Sequence, residues 1–538
     1  MAARHKKPAP TPTADGAAAA PSTTPATVPS AAATRQAEIE TKLEIDPTAK
    51  LPSLSKRRRL IAVGIAAAAE PKSYHLDAIY YDTAGLDLLR SKMTLRRRTG
   101  GSDAGWHLKL PAVQGARTEV GLPLGAGEPG DIPAELAGLV RGAARGRDLQ
   151  PVARLENDRT VRHLLDDEGR VLIEVADDHV TATPLIDSAA KPSQWRELEA
   201  EIIDGTRDQL AATVDVLMSA GASKASSASK LARALCFGPS PVRRSKSAGT
   251  AVVASLGRQR DLLIGADRGL REGPETAATA LHDARSAARR IRAILTVYAP
   301  LFEGETVPAL RSALRSFGST LSTARDLDVV QRRLIAQLVD EPEEYARAAK
   351  ARLEDACGRR LAAARTEVRV LIDSPAYLQM LRDIDDFTAR PPLSRRGHRA
   401  AGSELPVLIS ASWLGLRELA DVALTDPGNA QAVHEVRKIA KTIRYATEAA
   451  VGPLGSDAVV FASALEEIQE TLGELQDAGY AAVLLASLAL EDATDGVAGF
   501  IFGRLHAFEQ AVAHGAVDEF SDVWDRLEDG ELVTDLGR

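Results

Sequence analysis

The sequence predicts an α+β protein of two domains: an antiparallel β domain, barrel or sandwich, followed by an all-α domain of two repeated helical bundles. Three observations predict it. From Glu38 to about Phe237, short alternating runs are separated by Gly, Pro and Asp turns, which is how strands are punctuated. From about Val252 to Leu527 the chain is rich in Ala, Leu and Arg at helical spacing. Within that second half a pattern of basic residues occurs twice at a fixed offset. The expected division is a disordered tail over 1–34, the β domain over 35–238, a linker over 239–251 and the helical domain over 252–530.

The tail is Ala/Pro/Thr-rich and has no periodicity. The strands follow as Glu38 to Ile45, Thr94 to Arg98, Trp106 to Leu110, Val171 to Val175 and Trp195 to Ile203. Two helices are expected to interrupt them, near Leu51 to Ile65 and Arg207 to Ser219. Gly238, Pro239, Ser240 and Pro241 mark the boundary, after which the breaks are short: Pro300, Pro391-Pro392 and Pro427-Gly428.

Composition narrows the function. The net charge of −7 over 538 residues excludes a globally basic nucleic-acid binder, so any anion site is a local cluster of Lys and Arg. The two cysteines, Cys236 and Cys357, form no CxxC pair. That argues against a disulfide framework or a cysteine zinc site and for a reducing, cytoplasmic setting. The apolar runs Ala17 to Ala20 and Ile61 to Ala69 are too short for a signal-peptide core or a membrane span. A soluble, unexported chain is expected.

The β half carries charges of both signs in alternation. Glu38, Glu40 and Lys42 share one strand face, while Ile39, Thr41 and Leu43 share the other. Arg96 and Arg98 share a face, Lys109 stands among leucines, and Glu197, Glu199 and Glu201 alternate along a late strand. Asp177 and Asp178 end another strand, with Arg154 and Arg159 before it. A solvated face is the ordinary reading of any one such strand. Were the strands to close into one barrel, however, its interior would hold carboxylates and guanidiniums together. Burying them is costly unless they are paired. A divalent cation on the carboxylates and a polyanion on the Arg and Lys groups would satisfy both sets. Oxygen ligands of this kind suit Mg²⁺ or Mn²⁺.

Glu38-x-Glu40-x-Lys42, Tyr81-Asp82-Thr83, Leu95-Arg96-x-Arg98, Trp106-His107-Leu108-Lys109 and the late Ser229-Lys230 stand in the order seen in CYTH proteins, the triphosphate tunnel metalloenzymes. The resemblance covers about residues 36 to 237. It implies an eight-stranded antiparallel β tunnel acting on inorganic tripolyphosphate, thiamine triphosphate, RNA 5′-triphosphate ends or, in a cyclase branch, ATP. It implies that Glu38 and Glu40 bind metal or orient the attacking water. Lys42, Arg96, Arg98, Lys109 and Arg159 would hold phosphates, with Arg154 competing with Arg159 for one role. Asp178, Glu197 and Glu199 would complete the acidic side, the choice against Glu201 being open by one step. Lys230 would approach the phosphate chain from a late segment.

In the helical half, His282, Arg285, Arg289 and Arg292 recur as His434, Arg437, Lys441 and Arg444, 152 residues later. At 100° per residue the four side chains fall within an arc of about 80°. Like charges so placed destabilise a helix slightly, and a polyanion along them would reverse that. A zinc site at the histidines is a poor reading, since no second His or Cys lies at ligand spacing. Arg325-Asp326 and Gln476-Asp477 follow, and the Asp residues are expected to pair with the basic stripes. The pattern His282-x-x-Arg285-x-x-x-Arg289-x-x-Arg292, repeated as His434-x-x-Arg437-x-x-x-Lys441-x-x-Arg444-Tyr445, resembles the CHAD domain over about residues 252 to 530. That implies polyphosphate binding by a basic central surface, which Arg395, Arg396, His398 and Arg399 could extend. It also allows an association with polyphosphate granules.

Three functions stay open from sequence. The first is a metal-dependent triphosphatase, a phosphoanhydride hydrolase, with a helical polyphosphate-binding domain. The second is a non-catalytic polyphosphate-binding or targeting protein with a weak or inactive tunnel. The third, least favoured because no base pocket is specified, is a thiamine triphosphatase or cyclase-type nucleotide enzyme.

Overall fold

The computed structural model describes residues 33–529 apart from 56, 113–115, 128–130, 187–190, 239–245, 427–428 and 492–495. The expected tail up to residue 32 and most of the expected linker lie outside the described residues. The first helix of the second domain starts at Ala248, inside the expected linker.

Eleven strands build the first domain: β1 (Thr34–Glu38), β2 (Glu40–Glu44), β3 (Ala67–Ala68), β4 (Lys72–Asp82), β5 (Thr94–Thr99), β6 (Gly105–Lys109), β7 (Arg117–Pro123), β8 (Gln150–Leu165), β9 (Val171–Pro184), β10 (Ser193–Ile202) and β11 (Ser223–Lys224). They pair antiparallel in the order β1-β7-β6-β5-β4-β8-β9-β10-β2-β11, with β3 on β8. β1 and β2 follow each other in the chain, with Ile39 between them, yet β1 pairs with β7 and β2 with β10. What is observed is a path of paired strands; its closure into a barrel belongs to the proposal below.

Five short helices accompany the sheet: α1 (Arg58–Ile61), α2 (Asp87–Arg90), α3 (Ala134–Val140), α4 (Arg207–Ser219) and α5 (Lys230–Ala234). The helix expected over Leu51 to Ile65 is the single turn α1. Pro52 holds its neighbour extended, and Gly64, at φ +82°, ends the segment. α4 matches its expected bounds and begins with a capping box between Thr206 and Gln209. Leu210 and Leu217 of α4 join Leu43, Ile173, Val175 and Leu198 in one apolar cluster behind the sheet.

The second domain comprises α6 (Ala248–Glu272), α7 (Pro274–Val297), α8 (Thr306–Gln337), α9 (Glu343–Asp373), α10 (Pro375–Ala389), α11 (Ala401–Thr425), α12 (Ala430–Leu454), α13 (Ser456–Glu491) and α14 (Gly496–Asp529). A shared core runs through it, with Leu281, Ala284, Ala288 and Ile291 of α7 in the same cluster as Val433, Val436, Ala440 and Ile443 of α12. These are the residues between the basic positions, so burying them turns the basic stripes of both helices to one side. No described helix is long and apolar enough to cross a membrane.

The domains touch through α3 and the turns after it. Leu136, Leu139, Val140, Ala143 and Ala144 share an apolar cluster with Ile264 of α6. Arg145, buried, donates to Asp385 of α10 at 3.2 Å, and Arg382 donates to the Arg145 carbonyl at 2.6 Å. At Gly142 a Cβ would overlap the buried Asp267 carboxylate. That carboxylate is held by Arg271 at 2.8 Å and by the Tyr377 hydroxyl at 2.9 Å.

Candidate phosphate sites

Strand alternation and register assemble the first site. In β2 and β10, Lys42 stands opposite Glu199, Glu44 opposite Glu197 and Glu40 opposite Glu201. Asp178 of β9 lies opposite both Glu197 and Arg159 of β8. On the other arm, Lys109 of β6 lies opposite Glu119 of β7, Arg96 of β5 opposite His107, and Glu38 of β1 opposite Arg117. The side chains meet across the strands. Lys109 reaches Glu38 at 2.5 Å and Glu119 at 3.2 Å. Lys42 reaches Glu40 at 3.1 Å and also holds Glu199, while Arg117 lies 3.9 Å from Glu40. Arg159 donates two bonds of 2.7 Å to Asp178 and one of 2.5 Å to Glu199.

Of the residues expected from sequence, Glu38, Glu40, Lys42, Arg96, Lys109, Arg159, Asp178, Glu197, Glu199 and Lys230 join this network. Arg98 is buried and paired with Asp103, and its Nε, like that of Arg96, is buried without a hydrogen-bond partner. Arg154 is placed elsewhere: half-exposed, it pairs with Asp77 at 2.9 Å. Positions 154 and 159 differ in parity, so along one strand they point to opposite faces. Of the two competing arginines, Arg159 is the one at the site. Sequence reasoning missed Glu119, which pairs with Lys109, with His107 at 2.6 Å and with Arg96 at 3.8 Å. Arg117 and Tyr80, whose hydroxyl accepts from Arg96 at 3.4 Å, were missed as well. A signal existed for Arg117 and Glu119: they alternate with Thr118, Val120 and Leu122.

Burial pushes the carboxylates up and neighbouring charges then sort them. Glu199 ends well below its usual range because Lys230, Lys42 and Arg159 outweigh its burial. At Glu201 burial and the Glu38 and Glu40 carboxylates outweigh Lys109 and push it up to about 8. Asp178, Glu197 and Glu199 offer oxygen atoms within 4.8 Å of one another. An all-oxygen set of that size suits a hard divalent cation.

The second site is a cavity of about 680 Å³ between α7, α8, α12 and α13. Its wall contains His282, Arg285, Arg289 and Arg292 from α7 and His434, Arg437, Lys441 and Arg444 from α12. Both copies of the repeat thus face one space. Arg285 pairs with Asp326 at 3.0 Å, as expected, whereas Arg437 donates to Gln476 rather than to Asp477. Among the described residues, Arg289, Arg292 and Lys441 have no acidic partner at ion-pair distance. Burial, then Arg289, Arg437, Arg285 and Arg444, push Lys441 down to about 6. Burial and adjoining cations also lower His282 and His434. Arg396 and Arg399, expected as an extension of this surface, are instead held by the buried Glu404, Arg399 at 3.2 Å.

An antiparallel sheet with interleaved charges, followed by a helical domain with a duplicated basic wall, defines a class. Residues 36–235 match the CYTH domain and residues 254–486 the CHAD domain. The chain belongs to the family of proteins with an N-terminal CYTH domain and a C-terminal CHAD domain. Its relatives include the uncharacterized protein Rv2226 of Mycobacterium tuberculosis strain H37Rv, 33% identical over 511 residues that cover 89% of this chain and 94% of that one. The uncharacterized protein MT2285 of strain CDC 1551 matches with the same identity and coverage. Among solved structures, the CHAD domain from the plant Ricinus communis is 24% identical, with a TM-score of 0.42, covering 53% of this chain and 96% of that one.

Proposed function

We propose that the β domain hydrolyses inorganic tripolyphosphate or a related triphosphate with Mg²⁺ or Mn²⁺, and that the helical domain binds polyphosphate. The observation that carries the enzymatic part is the interleaving, across separate strands, of a three-carboxylate oxygen set held by Lys42 and Arg159 with the Glu38, Glu40 and Glu119 carboxylates held by Lys109, Lys42 and Arg96. In this reading the strands close into a tunnel, Arg96 and Arg98 turn their unpartnered Nε atoms to phosphate oxygens, and Lys109 and Arg159 neutralise the transferring group. Asp178, Glu197 and Glu199 would hold the cation, with Glu38 and Glu40 binding a cation or orienting the attacking water. A divalent cation so held supplies Lewis-acid polarisation of a phosphoryl oxygen and lowers the pKa of bound water. The duplicated cavity wall, with Arg289, Arg292 and Lys441 lacking acidic partners among the described residues, supports the polyphosphate-binding part.

The test is release of free phosphate from tripolyphosphate with Mg²⁺ or Mn²⁺. Glu40→Ala should abolish turnover and leave long-chain polyphosphate binding intact. Arg285→Ala with Arg437→Ala should cut that binding and spare turnover. Wild-type protein that binds polyphosphate but releases no phosphate would leave the helical domain as the whole function.

A further inference from the structure

Lys230 occupies an unexpected place for a residue that would hold phosphate. Its ammonium lies 2.9 Å from Asp178, 2.6 Å from Glu197 and 2.8 Å from Glu199. These are the three carboxylates whose oxygens cluster within 4.8 Å. An ammonium has three N–H donors, and here three carboxylates surround it. We infer that Lys230 is a displaceable counter-ion, its ammonium filling the acidic pocket at rest and leaving when a divalent cation enters; this rests on the reading of that triad as a cation site.

Lys230 and a divalent ion would compete for the same carboxylate oxygens, where Lys42 and Arg159 already add positive charge, so the two exclude each other there. Removing one partner of a buried ion cluster leaves uncompensated charge, so the ammonium cannot withdraw without a replacement. The backbone beneath it is fixed. Ser229 caps α5 by accepting from the Ala232 N–H at 3.1 Å, and Leu231, Ala232 and Ala234 are buried with Trp195. Arg233 stacks 5.0 Å from the Trp195 ring and pairs with Glu44 at 3.1 Å. Only the flexible four-carbon stem of Lys230 is free to swing. Lys42 and Arg159 share Glu199 with it, so a phosphate chain held by those two lies within its reach. Lys230 would then trade a carboxylate cage for a phosphate oxygen, and cation and triphosphate would each favour the other's binding.

The experiment is Mn²⁺ titration of the full chain, followed by electron paramagnetic resonance, without phosphate compounds. Wild type is compared with Lys230→Met and Lys230→Gln, the second keeping polarity without charge. Both variants should bind Mn²⁺ about tenfold more tightly than wild type, within the usual range of site-to-site coupling. Asp178→Asn added to either should erase the gain. Turnover should fall in the same variants, a split in direction that a purely structural lysine would not give. If both variants keep the wild-type thermal transition yet bind Mn²⁺ no more tightly, while wild type still hydrolyses tripolyphosphate, the counter-ion role fails and the triphosphatase reading stands. Mn²⁺ binding in no variant, together with no wild-type turnover, would overturn both.

Discussion

Lys441 behaves least like its residue type. An exposed lysine titrates near 10.4, but the wall around Lys441 brings it down to about 6. At neutral pH it is therefore mostly uncharged until an anion arrives, and an anion raises its affinity for a proton. Binding above pH 6 should take up a proton, so polyphosphate affinity should fall by up to about tenfold per unit from pH 6 to 8. Calorimetry in buffers of different ionisation enthalpy would detect the uptake, and Lys441→Met should flatten the profile. The sign for folding is opposite in feel but follows the same linkage: the unfolded chain binds the extra proton between about 6 and 10.4, so Lys441 makes stability rise with pH across that window. Sequence periodicity exposed this residue because basic positions on one helix face need no tertiary information. It did not separate Arg154 from Arg159, since strand parity is known only once register is fixed. Nor did it find Glu119, whose role comes from cross-strand neighbours in β6 and β5.

Among the elements, α4 shows how local signals set a boundary. Thr206 accepts from the Gln209 N–H at 3.3 Å, and the Gln209 side chain accepts from the Thr206 N–H at 2.8 Å. The Gln209 amide also donates to the Val63 carbonyl at 2.9 Å, tying α4 to the loop after α1. Thr206→Ala should cost about 1 kcal/mol in denaturant unfolding, with no change in cation binding, because α4 lies behind the sheet. Such a helix is legible from sequence: a cap, a repeat of buried positions and a stop. β4, β7 and β8 were not identified. β8 sets Arg154, Glu156, Asp158 and Arg162 on one face, but the opposite face, Ala153, Leu155, Asn157, Arg159 and Val161, is interrupted by Asn157 and Arg159, so its hydrophobic alternation is weak. The helical half was easier, because long Ala/Leu-rich runs repeat one period over many turns.

At the scale of the molecule, domain order was legible but the contact between domains was not. Ile264 and Leu139 look like ordinary core residues of their own elements, and only the fold places them together. Gly142→Val should force a side chain into Asp267 and loosen that contact. Small-angle scattering should then report a larger radius, while tripolyphosphate turnover and polyphosphate binding, measured separately, should each persist. An unchanged radius with native-like melting would mean that the contact tolerates the added bulk. The duplicated wall of the helical cavity has its own consequence. A linear polyanion presents charge along its whole length, and α7 and α12 each offer it a row of basic side chains. A guest in that cavity would therefore meet basic groups from two separate helices at once, and the loss of one row would leave the other in place.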